Sequence, residues 1–364
     1  MGGAVMYPIH YYYPKGKDLS FTYIAERHIE LLARHYAVNP LPLGAFPASA
    51  NMIRQVAVLH PYFYPLTTLG EVKEAVLRRV RSNVPFLVGV DVADSDAISS
   101  WAAELANLTD AFIVNSFWSY DAYVKSGVKP PVYIVPHGLE AEWFREPRRP
   151  IHPVVRALYD IKQRRRPFTI LYFLWHSGWR KGADLAAKLM ECIERAKIDY
   201  MLVVKKMDIT DPAFKRLTGY KMFVVEGRLA RDWLIDIYDL ADLVLLPSRG
   251  GSFELSGLEA LGRGVPVLMP NVGPWVEYTP PGLERYLHVK TARMVEPLPG
   301  NQIHVGKGAE WDPEDACLKF VEIYTNYDEV KARAQAGVEW IRRNYSWDAV
   351  EEKIRFAFTK ILGY

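Results

Sequence analysis

Residues 248–269 read SRGGSFELSGLEALGRGVPVLM, with two acids, Glu254 and Glu259, and five glycines ahead of Val265. The apolar run LVLLPS (Leu243–Ser248) reads as a strand leading in, and VPVLM (Val265–Met269) as a strand leading out. A helix opening near Leu255 or Ser256 and closing at Arg263 joins them. A helix that only fills a core needs neither a glycine pair before its first turn nor two acids. Glycines let the backbone approach a ligand closely, and exposed helix N-termini favour phosphate. Gly250, Gly251, Ser252 and Phe253 are therefore a candidate phosphate cradle; a tight turn whose glycines serve sterics alone reads the same locally. No Gly-Lys-Ser/Thr follows, so this is not a Walker loop, and it is not Gly-x-Gly-x-x-Gly. Glu259, one turn into the helix, can accept hydrogen bonds from a ribose diol as acids do in dinucleotide sites; its bland alternative is a surface glutamate. Glu254 stands where an acid suits the helix dipole as a cap.

Working outward, strand-like and helix-like segments alternate on both sides. Ala4–Tyr13, Gln55–His60, Pro85–Asp91, Ala111–Ser116 and Val132–Pro136 are short apolar runs bounded by turn or polar residues. They read as strands buried on both faces of a parallel sheet. Helical stretches fall between them: Phe21–Arg34 with Ser20 as cap, Glu71–Arg81 and Ala97–Asn107. The pattern resets near 145–168, where REPRRP and KQRRRP read as a linker region, with Lys162–Arg166 a solvated face or an anion-facing one. A second series follows: Phe168–Trp175, Tyr200–Lys205, Lys221–Glu226, Leu243–Ser248 and Val265–Met269 as strands, with helices over Asp184–Ala196, Ala230–Leu240 and Ser256–Arg263. The end is helical, with a last helix capped by Ser346. The fold class is α/β, with two doubly wound Rossmann-like domains. The expected division is 1–148, 149–344 and a C-terminal helix over 345–364 that packs back on the first domain. Ligands of such sheets bind at the carboxyl ends of strands, and with two domains the natural place is the cleft between them.

Composition narrows the function classes. The 364 residues suggest two domains, half of them are hydrophobic, and the net charge of +3 gives no case for nucleic acid. Two cysteines, Cys192 and Cys317, sit in no paired motif, so neither a disulfide framework nor a zinc site is expected and a reducing, cytoplasmic setting fits. The N-terminus lacks a signal-peptide pattern, and no apolar run is long enough to span a bilayer. Glutamine, found only at 55, 163, 302 and 335, is scarce and leans towards a heat-adapted source. Tyr11, Tyr12, Tyr62, Tyr64 and Trp118 are candidates for stacking on an acceptor sugar, for a lipid surface, or for core filling.

A second motif follows the strand Phe168–Trp175. In HSGWRKGAD (His176–Asp184), Arg180 and Lys181 put two cations on a glycine-flanked turn ahead of a helix. A guanidinium fork and an ammonium point charge suit a diphosphate; a solvated basic turn is the competing reading. Lys205 and Lys206, at another strand end, are lesser phosphate candidates. Asp94-Ser95-Asp96 is literally Asp-x-Asp, which in a metal-dependent transferase would hold Mn²⁺ or Mg²⁺, with Asp96 alternatively a helix cap. His60 is a further strand-end residue, either near a ligand or a satisfied core histidine.

The order of these pieces resembles the nucleotide-sugar-binding half of family 4-type retaining glycosyltransferases of the GT-B fold. A Lys-Gly turn opens a helix; a Gly-Arg-Leu turn follows a later strand; DLADLVLLPSR then leads into SFELSGLEALGRGVPVLMPNVG. Thr109–Phe144, with the turn His137-Gly138-Leu139-Glu140, and the tail Tyr345–Ile354 extend the likeness over most of 85–364. The resemblance implies a nucleotide-diphosphate sugar as donor substrate, with no cofactor or metal required. It implies that Glu259 binds the ribose hydroxyls and that the loop Gly250–Leu255 offers amides to the diphosphate and sugar. Arg180 and Lys181 would hold the leaving diphosphate, and the turn Glu226-Gly227-Arg228 would lie against the base. The acceptor could be a glycan, a lipid-linked molecule or a protein, with a possible peripheral membrane contact. Three departures stand out. The family spaces two glutamates by seven residues; counting back from Glu259 gives Gly251, so Glu254 is the nearby substitute. The family's first-domain catalytic histidine falls at Asp91. Its arginine ahead of the Lys-Gly has no clean counterpart. The candidate catalytic residues are thus Asp91, Glu254 and Lys181. A non-catalytic nucleotide-sugar-binding protein remains the alternative that the missing acid at 251 leaves open.

Overall fold

The structure, a computed structural model, describes residues 7–17, 19–52, 55–67, 77, 84–174, 177–207 and 212–363. The helix expected over Glu71–Arg81 therefore falls, except for Leu77, outside the described residues, as do Trp175 and His176. The chain divides into two compact units, one of residues 1–138, 300–306 and 347–364, the other of 139–299 and 307–346.

Unit 1 is built on six parallel strands: β1 (Ile9–Tyr13), β2 (Val38–Pro42), β3 (Val56–Leu59), β4 (Phe86–Val90), β5 (Ala111–Val114) and β6 (Val132–Ile134), in the order β2-β1-β3-β4-β5-β6. β1, β3 and β5 are buried along their whole length, as expected for strands covered on both faces. β2 carries Pro40 and Pro42 at an edge, where a missing N–H is tolerated. Tyr11, Tyr12 and Tyr62 are fully buried and fill this core, so stacking on an acceptor is closed to them. The helix Ser20–Ala33 has Leu19, not Ser20, at its N-cap and no side-chain cap. It packs against the closing helix Trp347–Leu362, where Glu351 takes hydrogen bonds from Arg34 and His35.

Unit 2 holds a second six-stranded sheet: β7 (Phe168–Leu174), β8 (Tyr200–Lys206), β9 (Met222–Glu226), β10 (Leu243–Leu245), β11 (Val267–Pro270) and β12 (His288–Val289). The order is β12-β11-β10-β7-β8-β9 and every pairing is parallel. The chain leaves β7 towards β8 and β9, and leaves β10 in the opposite direction towards β11 and β12. The loops after β7 and β10 therefore part at a topological switch point, where such sheets bind ligands. An antiparallel hairpin, β13 (Thr291–Val295) with β14 (Gly308–Trp311), packs beside β11.

Two local readings are corrected in unit 2. KQRRRP is the end of a helix, Pro153–Arg165, and not a linker. Its Lys162 reaches the Leu240 carbonyl at 2.6 Å and Asp242 at 2.8 Å. The two cysteines pair as a disulfide with Cα atoms 6.0 Å apart, joining the helices Ala183–Arg195 and Pro313–Thr325. Their separation of 125 residues hid the pairing, because no short motif marks it.

Candidate active site

The two loops of the switch point meet side by side in unit 2. After β7 the chain turns through Ser177–Gly182 into the helix Ala183–Arg195, whose buried Leu185, Ala186, Leu189, Met190 and Ile193 seat it on the sheet. Gly182 adopts φ +68°, and a Cβ there would lie 2.0 Å from the Pro247 carbonyl oxygen, so only glycine lets the loops touch. After β10, residues 246–254 lead into the helix Leu255–Gly262.

Arg180, Lys181 and Glu254 converge here. The Arg180 guanidinium donates to the Gly250 carbonyl at 3.0 Å and lies 3.2 Å from Glu254 Oε1, while Lys181 Nζ pairs with Glu254 Oε2. The three side chains are largely buried. Two cations against one carboxylate leave a net positive charge beside two helix N-termini, an arrangement that favours an anion. Glu254 is not a cap in the expected sense. It occupies the N-cap position with φ 60°, a left-handed conformation that is uncommon outside glycine, and its side chain makes no cap hydrogen bond. The carboxylate instead folds back over Gly251, where a Cβ would lie 2.6 Å from Glu254 Oε1. Phe253 is buried and packs on Tyr278 and Tyr345, so it supports the loop from the core side. Gly250 accepts the Arg180 bond; Ser252 and Leu255 are half-buried beside it.

Glu259 stands on the same helix, half-buried, and accepts a 2.5 Å hydrogen bond from the Tyr238 hydroxyl. Burial raises its carboxyl to about 7 against that bond. Glu140, paired with Arg231 at 2.9 Å, adds a second acid nearby. The turn after β9 is held from below: Lys205 Nζ donates to the Gly227 carbonyl and Lys206 pairs with Glu226, leaving Arg228 exposed. Lys205 is 1% exposed, and burial lowers its ammonium to about 8, with Arg228 adding to the effect.

Sequence reasoning missed Arg249, which organises the site. Its guanidinium is 1% exposed and forks onto Asp184 at 2.8 and 2.7 Å. It also bonds Glu310 of β14 at 2.7 Å and the Trp179 carbonyl at 2.8 Å. Its own amide donates to the Arg180 carbonyl at 2.7 Å. One side chain thus ties both loops, the helix Ala183–Arg195 and the hairpin together. A charged residue directly after a strand was the one signal available; Asp184 and Glu310 lie 65 and 61 positions away.

In unit 1, Asp91 follows β4 and is 5% exposed, with its oxygens accepting from the amides of Phe63 and Val92, each at 2.8 Å. Burial pushes its carboxyl up to about 7 despite those bonds. His60 belongs to a buried cluster: the Tyr11 hydroxyl meets His60 Nδ1 at 2.8 Å and His28 Nδ1 at 2.9 Å. Asp96 is not the cap of the following helix; Ser99 fills that place, accepting from the Ala102 amide.

Known proteins share both the sequence and the architecture. The family described as family 4 glycosyltransferase in conflict systems matches residues 177–354. An uncharacterized protein, 356, of Sulfolobus islandicus rod-shaped virus 1 is 33% identical over 349 residues, 95% of this chain and 96% of its own. The solved glycosyltransferase from Rickettsia africae superposes with a TM-score of 0.64 at 13% identity, over 98% of this chain and 99% of that one. The pneumococcal O-GlcNAc transferase GtfA, solved with UDP and GlcNAc, gives 0.58 at 14% identity, over 88% of this chain and 60% of that one. The two doubly wound parallel sheets are those of the GT-B architecture, and the chain belongs to the family 4-type glycosyltransferases.

Proposed function

We propose that this enzyme transfers a sugar, with retention, from a nucleotide-diphosphate sugar to an acceptor, without a metal ion. The convergence of Arg180, Lys181 and Glu254 at the β7/β10 switch point carries the reading. The two cations take up the diphosphate and stabilise the charge that grows on it as the glycosidic bond breaks. Amides of Gly250–Leu255 add donors to the same oxygens. Glu259 receives the ribose hydroxyls, and the turn Glu226-Gly227-Arg228 lies against the base. Glu254, positioned over Gly251, supplies the acid that contacts the transferred sugar. Asp91, at the end of β4, is the candidate for orienting the acceptor and takes no proton from it. The leaving phosphate takes the acceptor proton, so no protein nucleophile is needed. The acceptor is a glycan, a lipid-linked molecule or a protein, and no helix among the described residues is long and apolar enough to cross a membrane.

The test is calorimetric binding of inorganic pyrophosphate and of UDP-, GDP-, ADP- and TDP-glucose, followed by hydrolysis of whichever donor binds. Lys181→Ala should weaken pyrophosphate about 10- to 100-fold, the range of a charge-assisted hydrogen bond. Turnover should persist in EDTA. Unaltered pyrophosphate affinity in Lys181→Ala, or activity abolished by EDTA and restored by Mn²⁺, overturns the reading.

A further inference from the structure

Trp179 immediately precedes the two cations, and its indole is 44% exposed. Large exposed aromatic side chains are ordinarily free to move; this one is fixed on three sides. The Arg249 guanidinium lies 3.6 Å from its ring centroid and covers one face. Its Nε1 donates to the Glu296 carbonyl at 3.0 Å, anchoring the edge to the end of β13. Its own carbonyl accepts from Arg249 at 2.8 Å and from the Gly182 amide at 3.1 Å. With one face stacked and one edge bound, the exposed area is the other face and the remaining edge. A rigid indole with one open face is a receptor for another flat, apolar face, and its ordering entropy is spent during folding.

Position along the sheet indicates which face. In unit 2 the turn 226–228 ends β9, at one edge of the sheet, while Arg180 and Lys181 follow β7 at the switch point. Trp179 is tied in the opposite direction, towards the hairpin that packs beside β11. A nucleotide sugar is linear: base, ribose, two phosphates, sugar. Laid with its base at β9 and its phosphates on the cations, it brings the sugar to the side of Trp179. The C–H face of a pyranose stacks on indole, and the buried cation behind the ring keeps it in place.

We propose that Trp179 is the platform for the donor's sugar ring, a binding residue that discriminates nucleotide sugar from bare nucleotide. This rests on the nucleotide-sugar reading above, and the experiment separates the two. Trp179→Leu keeps apolar bulk without a flat face; Trp179→Phe keeps a flat face. Affinities for pyrophosphate, for UDP, GDP, ADP and TDP, and for their glucose conjugates are measured for each, with KM and kcat for donor hydrolysis by water. In Trp179→Leu, pyrophosphate and nucleoside diphosphate should bind within about twofold of wild type. The sugar conjugate should lose about five- to tenfold, the scale of one aromatic stacking contact, and Trp179→Phe should recover most of it. An unchanged ratio of conjugate to nucleoside diphosphate in Trp179→Leu overturns the platform. So does an equal loss of pyrophosphate in both variants, which would make Trp179 only a cover for the Arg249 ion pairs. If wild-type protein binds none of these probes, the nucleotide-sugar reading itself falls and takes the platform with it.

Discussion

At the scale of single residues, burial moves Glu259 and Lys205 away from their ordinary state. Glu259 is the clearest case. Its folded carboxyl titrates near 7, above the usual 4.5, because burial outweighs the Tyr238 bond. The folded state therefore holds this proton more tightly than the unfolded chain. Its contribution to stability is present below about pH 4.5 and is lost as pH rises through about 7. Glu259→Gln removes that loss while still accepting from Tyr238. The variant should melt a few degrees higher than wild type at pH 8, match it near pH 5, and bind donor less well. A scan of melting temperature against pH checks the sign, and a lower melting point at pH 8 would contradict it. Arg249 shows the opposite economy. Its charge is buried, but two carboxylates and a carbonyl compensate it, so it fixes geometry.

At the scale of elements, two loops make the site, and their contact depends on Gly182. Gly182→Ala places a methyl group against a backbone oxygen and asks alanine to hold φ +68°. Strain and overpacking together should cost about 2–4 kcal/mol. Urea unfolding should report that loss, and pyrophosphate affinity should fall with it, because Arg180 and Lys181 sit on the displaced turn. The strands β1 and β3–β11, the helix Leu255–Gly262 and the Lys-Gly turn were legible because apolar runs, glycine punctuation and cations at strand ends are local signals; β2, with its two prolines, and β12–β14, short or polar, gave no such run. Glu254 and Glu259 were legible as candidates, but their partners were not. Tyr238 lies on another helix, and Arg249 reads as an ordinary charge until Asp184 and Glu310 surround it. The Arg-rich segment at 162–166 misled because solvated linkers and last helical turns share a composition. Ser20 and Asp96 misled as caps because the helices begin one residue earlier and three residues later than expected.

At the scale of the molecule, the chain changes unit four times, after Gly138, Pro299, Gly306 and Ser346. Unit 1 thus depends on the last helix of the chain as well as the first. Unit 2 carries the disulfide, and a closure of 125 residues is long enough for the cross-link to restrict the unfolded chain strongly. The chain-entropy account gives about 4–5 kcal/mol for such a loop. Reduction, or Cys192→Ser with Cys317→Ser, should lower the melting temperature of unit 2 by about 10 °C. Differential scanning calorimetry with and without reductant measures this, and coincident transitions would exclude a stabilising bond.

Glu254 carries one more consequence. A spacing motif is a statement about backbone path as much as about chemistry. At 251 the chain offers no acid, yet the volume beside that α-carbon is filled by a carboxylate arriving from three residues downstream through a left-handed turn. Column-by-column alignment registers a deletion of charge there; the folded loop registers a change of address. A chain that lacks an acid at the first of the two spaced positions is better sorted by which residue's oxygens occupy that volume.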